Sequence, residues 1–135
     1  MSVKYKVLKE DLIYPELSFK LVGYAFEVFK KLGYGHREDV YQKAYAEMLK
    51  TNNHNFVEQQ YCPVVFNDKV IKKLFLDFKV DEKLIVELKK DEKFSPDHIE
   101  QVNQYLKSSG LQLAILFNFG RQGVLYKRLV NTLKK

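Results

Sequence analysis

The chain is expected to fold as α/β layers, an α+β arrangement, on three observations. Apolar residues recur at helical spacing through the first third of the sequence. Three strand-like segments follow, divided by turn residues. A helix start at Ser95-Pro96 then separates them from two more apolar strands, giving the order ααβββαββ.

Residues 1–14 mix polar and apolar types and read as a lead-in. Pro15 suits the first turn of a helix, and Glu16 suits its positive N-terminal end. Leu21, Ala25, Val28, Phe29 and Leu32 form the buried stripe of that helix, with Phe26 widening it; Gly33 and Gly35 stop it. A second helix is expected from about Glu38 to Lys50, burying Tyr41, Ala44, Tyr45 and Met48. Asn52, Asn53 and Asn55 mark the next turn. The first strand runs from Phe56 to Val65 or Phe66, bent at Pro63, because proline cannot serve a central ladder position. Asn67-Asp68 turns the chain into Val70 to Val80, and Leu84 to Lys89 completes the meander. Ser95 reads as N-cap and Pro96 as first residue of a helix that points Ile99, Val102 and Leu106 inward and ends before Gly110. Leu111 to Phe117 reads as a buried strand. Gly120 to Gly123 turns into a last strand, Val124 to Leu129, and a basic tail closes the chain at 131–135.

A chain of 135 residues predicts one domain spanning 1–135. With 46% apolar and 14% aromatic residues it is globular, not disordered. No apolar run approaches the roughly 18 residues of a membrane span, and no signal-peptide pattern opens the sequence, so no membrane partner is expected. Cys62 as the single cysteine excludes an internal disulfide and fits a reducing, cytoplasmic setting. The net charge of +6 suits a polyanion, with an ordinary basic solubility surface as the even alternative.

The chemistry concentrates in residues 76–90, LDFKVDEKLIVELKK. Alternation puts Leu74, Leu76, Phe78 and Val80 on one face and Phe75, Asp77 and Lys79 on the other. Leu84, Val86 and Leu88 likewise oppose Ile85, Glu87 and Lys89. A hairpin about Glu82 sets Asp77 opposite Glu87, where like charges destabilise the pair unless compensated. A divalent cation would compensate, since hard cations take carboxylate oxygens. A solvated polar face is the plainer reading. Glu38, in the first turn of the second helix, either interacts with that helix end or points inward to the same cation. Gln101 and Tyr105 share a face of the later helix, and His98 extends their row.

Taken together, Glu38, Asp77, Glu87-Leu88-Lys89 and Gln101-Val102-Asn103-Gln104-Tyr105 resemble the motif series of the PD-(D/E)XK nuclease superfamily. The QxxxY helix is similar to that of recombination-type exonucleases. Gly35-His36-Arg37-Glu38-Asp39-Val40-Tyr41 resembles the signature of the GxxExxY protein family, as do His98-x-x-Gln101 and Phe117-Asn118-Phe119-Gly120. The resemblance covers about Leu17 to Val130 and implies a restriction-endonuclease-like αβββαβ core with a mixed central sheet flanked by helices.

It further implies a Mg²⁺- or Mn²⁺-dependent nuclease that hydrolyses phosphodiester bonds of DNA, ahead of RNA, through a metal-activated water. Asp77, Glu87, Lys89, Gln101 and Tyr105 would be catalytic. Glu38, Asp77, Glu87 and the Leu88 carbonyl would hold the metal, and Lys89 would orient the water or neutralise transition-state charge. Gln101 and Tyr105 would position the water, the lysine or the strand. His36, Arg37, Lys90 and His98 would be nucleic-acid contacts, with ordinary solvation the alternative for the basic rim and a solvent-facing helix residue the alternative for His98. A homodimer or a partner protein would supply specificity. Phe75 stands where the family often has arginine, and Gly33-Tyr34-Gly35 where Gly-Pro-Gly is usual; neither removes a ligand. A non-catalytic nucleic-acid- or partner-binding module on the same fold is the alternative. His36, His54, His98 and Cys62 lack zinc spacing, and Cys62 reads as a partly buried small residue.

Overall fold

The structure is a computed structural model describing residues 13–91 and 93–131. Most of the expected 1–14 lead-in and 131–135 tail lies outside the described residues. Helix α1 (Pro15–Leu32) opens with proline in its first turn, and α2 (Glu38–Thr51) follows. Strands β1 (Phe56–Phe66), β2 (Lys69–Val80) and β3 (Leu84–Lys90) form the meander. Helix α3 (Pro96–Ser109) is capped by the Ser95 hydroxyl, which accepts from the His98 N–H, and it leads to β4 (Leu113–Gly120) and β5 (Gly123–Val130).

The five strands lie in chain order and pair antiparallel, except that β3 and β4 run parallel. Parallel neighbours need a long crossover, and α3 supplies it. The result is the expected mixed sheet flanked by helices. Asn67 and Asp68 turn β1 into β2 with φ of 51° and 64°, the left-handed pair a tight two-residue hairpin turn requires.

Two apolar clusters cover the two faces. On one, Leu21, Ala25 and Val28 of α1 and Tyr41, Tyr45 and Leu49 of α2 pack on Val86, Ile115 and Phe117. On the other, Val102 and Leu106 of α3 pack on Cys62, Leu76, Ile85 and Ala114. Phe26 does not widen the buried α1 stripe: it is about half exposed, bordering an open depression with Phe19 and with Tyr126 and Arg128 of β5. Leu49, four residues beyond Tyr45, takes a buried place that the expected α2 stripe omitted.

The faces of β2 differ from simple alternation. Phe78 and Val80 lie under α1 and α2, but Leu76 lies under α3. The strand switches faces at Asp77. There the β1 ladder skips from Glu58↔Phe78 to Gln60↔Leu76, and Gln59 adopts φ of 55°. The β2–β3 ladder also stops at Phe78↔Val86, one step short of Asp77 and Glu87.

Behind this hairpin, His54 clasps three elements. Its Nδ1 lies 2.9 Å from Asp81 Oδ2 and its Nε2 lies 2.7 Å from the Tyr24 hydroxyl. Asp81 Oδ1 accepts the Asn55 N–H, so the β2–β3 turn is tied to the end of α2 and to α1. With the Asp81 carboxylate accepting, Nδ1 carries the proton and Nε2 accepts from Tyr24.

Candidate active site

The Asp77–Glu87 pair sits where β2 and β3 part, and side chains replace the missing ladder bonds. The Asp77 N–H donates to Glu87 Oε2, and the Leu88 N–H donates to Asp77 Oδ2 at 2.8 Å. Both carboxylates are buried, 8% and 4% exposed, which rules out a solvated polar face. Burial, the Glu87 charge and Glu38 push the Asp77 carboxyl up to about 7 against the opposing pull of the Leu88 and Gln42 hydrogen bonds.

Each carboxylate is anchored to a different helical layer. Gln42 on α2 donates to Asp77 Oδ1 at 3.0 Å and, at 3.4 Å, to Glu38 Oε2, one turn back. On the other side His98 of α3 places Nε2 2.9 Å from Glu87 Oε1; the carboxylate accepts, so Nε2 carries the proton. His98 therefore holds Glu87, with its side chain still partly exposed. Gln42 was not singled out from sequence, although its i,i+4 spacing from Glu38 was a readable signal.

The approach of Glu38 is set by the loop before it. Gly33 and Gly35 take φ of 75° and 108°, which side chains other than glycine rarely adopt. The Tyr41 hydroxyl donates to the Gly33 carbonyl at 2.6 Å, and its ring stacks on Phe119 with centroids 4.5 Å apart and planes 8° apart. That stack fastens α2 to β4. His36 turns its Nε2 to the Leu32 carbonyl at 2.9 Å and its ring edge to Tyr41, stiffening the same loop.

Arg37 and Lys90 border an open depression of about 540 Å³ together with Glu38, Asp39 and Gln42. Arg37 is ion-paired with Asp39 at 3.3 Å, and Lys90 and Arg121 both stand over the Tyr34 ring. Lys89 follows Glu87 by two residues on β3, so alternation gives the two the same face. Gln101 and Tyr105 share the expected helix face but look into a separate cavity of about 580 Å³ between α3 and β1–β2, lined also by Cys62 and Leu74. No hydrogen bond joins either to Asp77 or Glu87 among the described residues. Burial raises both the Tyr105 hydroxyl and the Cys62 thiol, and Glu87 raises the thiol further, so Cys62 stays protonated and unreactive.

The donor chemistry fits a hard divalent cation, because two carboxylates buried side by side offer it oxygen ligands and crowd each other's charge. The ligands do not converge unaided: among the described residues no three His, Cys, Asp or Glu side chains form a ready group. Glu38 is linked to the pair through Gln42 instead.

A mixed five-stranded sheet with a buried aspartate and an ExK glutamate at the parting of two central strands defines a restriction-endonuclease-like protein. A sequence model for the PD-(D/E)XK nuclease superfamily matches residues 15–129, and the chain belongs to that superfamily. The crystal structure of SSO0001 superposes with a TM-score of 0.52 at 18% identity, covering 98% of this chain and 72% of that one, a likeness of fold. No curated protein matches the chain. No helix among the described residues is long and apolar enough to cross a membrane.

Proposed function

We propose that the chain is a Mg²⁺- or Mn²⁺-dependent nuclease of the GxxExxY type, cutting phosphodiester bonds of DNA in preference to RNA. The observation that carries this reading is the buried Asp77–Glu87 pair, held at the strand parting by backbone amides, with Lys89 two residues beyond. Asp77, Glu87, Glu38 and the Leu88 carbonyl would hold the ion. When bound, it supplies Lewis acidity toward the phosphate and lowers the pKa of water.

The remaining chemistry belongs to this chain's own side chains. Gln42 draws the Asp77 and Glu38 carboxylates toward each other. His98 keeps Glu87 facing the strand parting. The Lys89 ammonium balances negative charge that builds on the phosphate during attack. Gln101 and Tyr105, set apart from the carboxylates, act on the substrate strand. Arg37 and Lys90 contact backbone phosphates at the rim. The exposed apolar residues Phe19, Phe26, Leu125 and Tyr126 support a homodimer or partner protein as the source of further selectivity.

The test is cleavage of labelled single-stranded DNA, duplex DNA and RNA with Mg²⁺ or Mn²⁺, beside EDTA and Glu87→Gln controls. Metal-dependent cutting lost in the variant is the expected result; cutting that survives Glu87→Gln would refute the site. One observation favours a second reading, binding without cleavage: the three acids do not converge as a ready ligand group. Metal-independent nucleic-acid binding with no cutting on any substrate would establish it.

A further inference from the structure

On its face away from α3, the β1–β2 hairpin carries an exposed aromatic pair. Tyr61 and Phe75 are register partners, with ring centroids 5.5 Å apart, yet they are 41% and 50% exposed. Their neighbours Cys62 and Leu74, also paired, face the α3 cavity, so alternation turns Tyr61 and Phe75 to the opposite face. Phe75 lies two residues along β2 from Asp77, roughly 6.6 Å of strand, about twice the ~3.4 Å rise of a stacked nucleotide. Lys73 stands two residues the other way, on the same face. With Lys69 and Lys72 it leaves the hairpin tip positive against the single acid Asp68.

That charge selects among occupants. Val65, Phe66, Val70 and Ile71 are also exposed toward the tip, but an apolar peptide would leave the lysines unpaired, whereas a nucleic-acid strand matches both the cations and the rings. Its phosphates meet the cations and its bases meet the rings. We propose that Tyr61 and Phe75 form a stacking platform for an unpaired base of a strand whose backbone leads to Asp77 and Glu87. The substrate class is then nucleic acid with an unpaired segment: inside a duplex both faces of each base are already covered by neighbours. This rests on the nuclease reading of the carboxylate site and names its substrate class.

The test is fluorescence anisotropy of the full chain in EDTA and low salt. It uses a labelled oligothymidylate and an abasic strand of equal length. The chain should prefer the strand with bases. Tyr61→Leu combined with Phe75→Leu should weaken that binding roughly 5- to 150-fold, the worth of stacking one base on an aromatic ring, while leaving the abasic strand unaffected. Phe75→Trp, which keeps a ring, should retain the preference. Equal affinity for both strands, or a double leucine variant that keeps the full preference, would overturn the platform. So would a dimer that the double variant dissolves while neither protein prefers bases, since the face would then belong to a second copy. No metal or cleavage enters the measurement, so absence of cutting in Mg²⁺ would count against the nuclease reading and leave this result standing.

Discussion

Replacing Asp77 by asparagine should stabilise the metal-free protein above neutral pH. The Asp77 carboxyl is pushed up to about 7, against an ordinary 3.8 in the unfolded chain. Between those values the native state binds a proton that the unfolded state has lost. Native stability from this group is therefore complete below the lower value, falls as pH rises through the window, and levels off above about 7. At ~1.4 kcal/mol per pH unit, the full descent is about 4 kcal/mol.

Asparagine mimics the protonated acid and escapes that loss. It keeps one carbonyl oxygen for the Leu88 N–H, while Gln42 must turn its amide to accept from the new NH₂ group. Weakening charge-assisted bonds costs about 1.5–3 kcal/mol. The net gain at pH 8 is then about 1–2 kcal/mol, or roughly 3–10 °C in melting temperature for a domain of this size. The assay is thermal unfolding in EDTA at pH 5 and pH 8. Asp77→Asn should melt higher than the parent at pH 8, and the advantage should shrink at pH 5, where only the lower part of the descent has been covered. An Asp77→Asn protein melting no higher at pH 8, or an advantage of equal size at both pH values, would refute the buried-charge account.

Mn²⁺ should raise the melting temperature of the parent at pH 8 and do far less for Glu87→Gln; equal shifts would place the ion elsewhere. His98→Ala leaves Glu87 without its α3 partner and should lower metal affinity or turnover about 10- to 100-fold, as loss of residues supporting metal ligands does, read by titration calorimetry and cleavage kinetics. Tyr24→Phe removes the hydroxyl that His54 accepts and should cost about 1 kcal/mol in urea unfolding; an unchanged midpoint would show that the clasp adds nothing.

Much of the architecture was legible because local signals agreed. Pro15, Ser95-Pro96 and Asn67-Asp68 mark boundaries that the structure keeps. The pairing centred on Glu82 holds through Phe78↔Val86. What alternation could not show is where the ladder fails. Leu76 and Phe78 have the same parity but opposite faces, because Asp77 gives its N–H to a side chain instead of a strand carbonyl. His98 was readable as a member of the Gln101 row but not as a partner of Glu87, since only tertiary packing brings α3 over β3. Phe26 was misplaced because apolar spacing does not tell a covered flank from an open one.

The reciprocal bonds between Asp77 and the β3 segment give the two acids a second occupation. They are the stitches that close the sheet where its main-chain ladder has opened. Truncating either to alanine strands a buried amide, which costs about 1–3 kcal/mol whether or not any substrate is ever cut. A protein of this fold that cuts nothing would still be under pressure to keep both side chains. Retention of the pair among relatives thus records the demands of the sheet seam as well as those of chemistry.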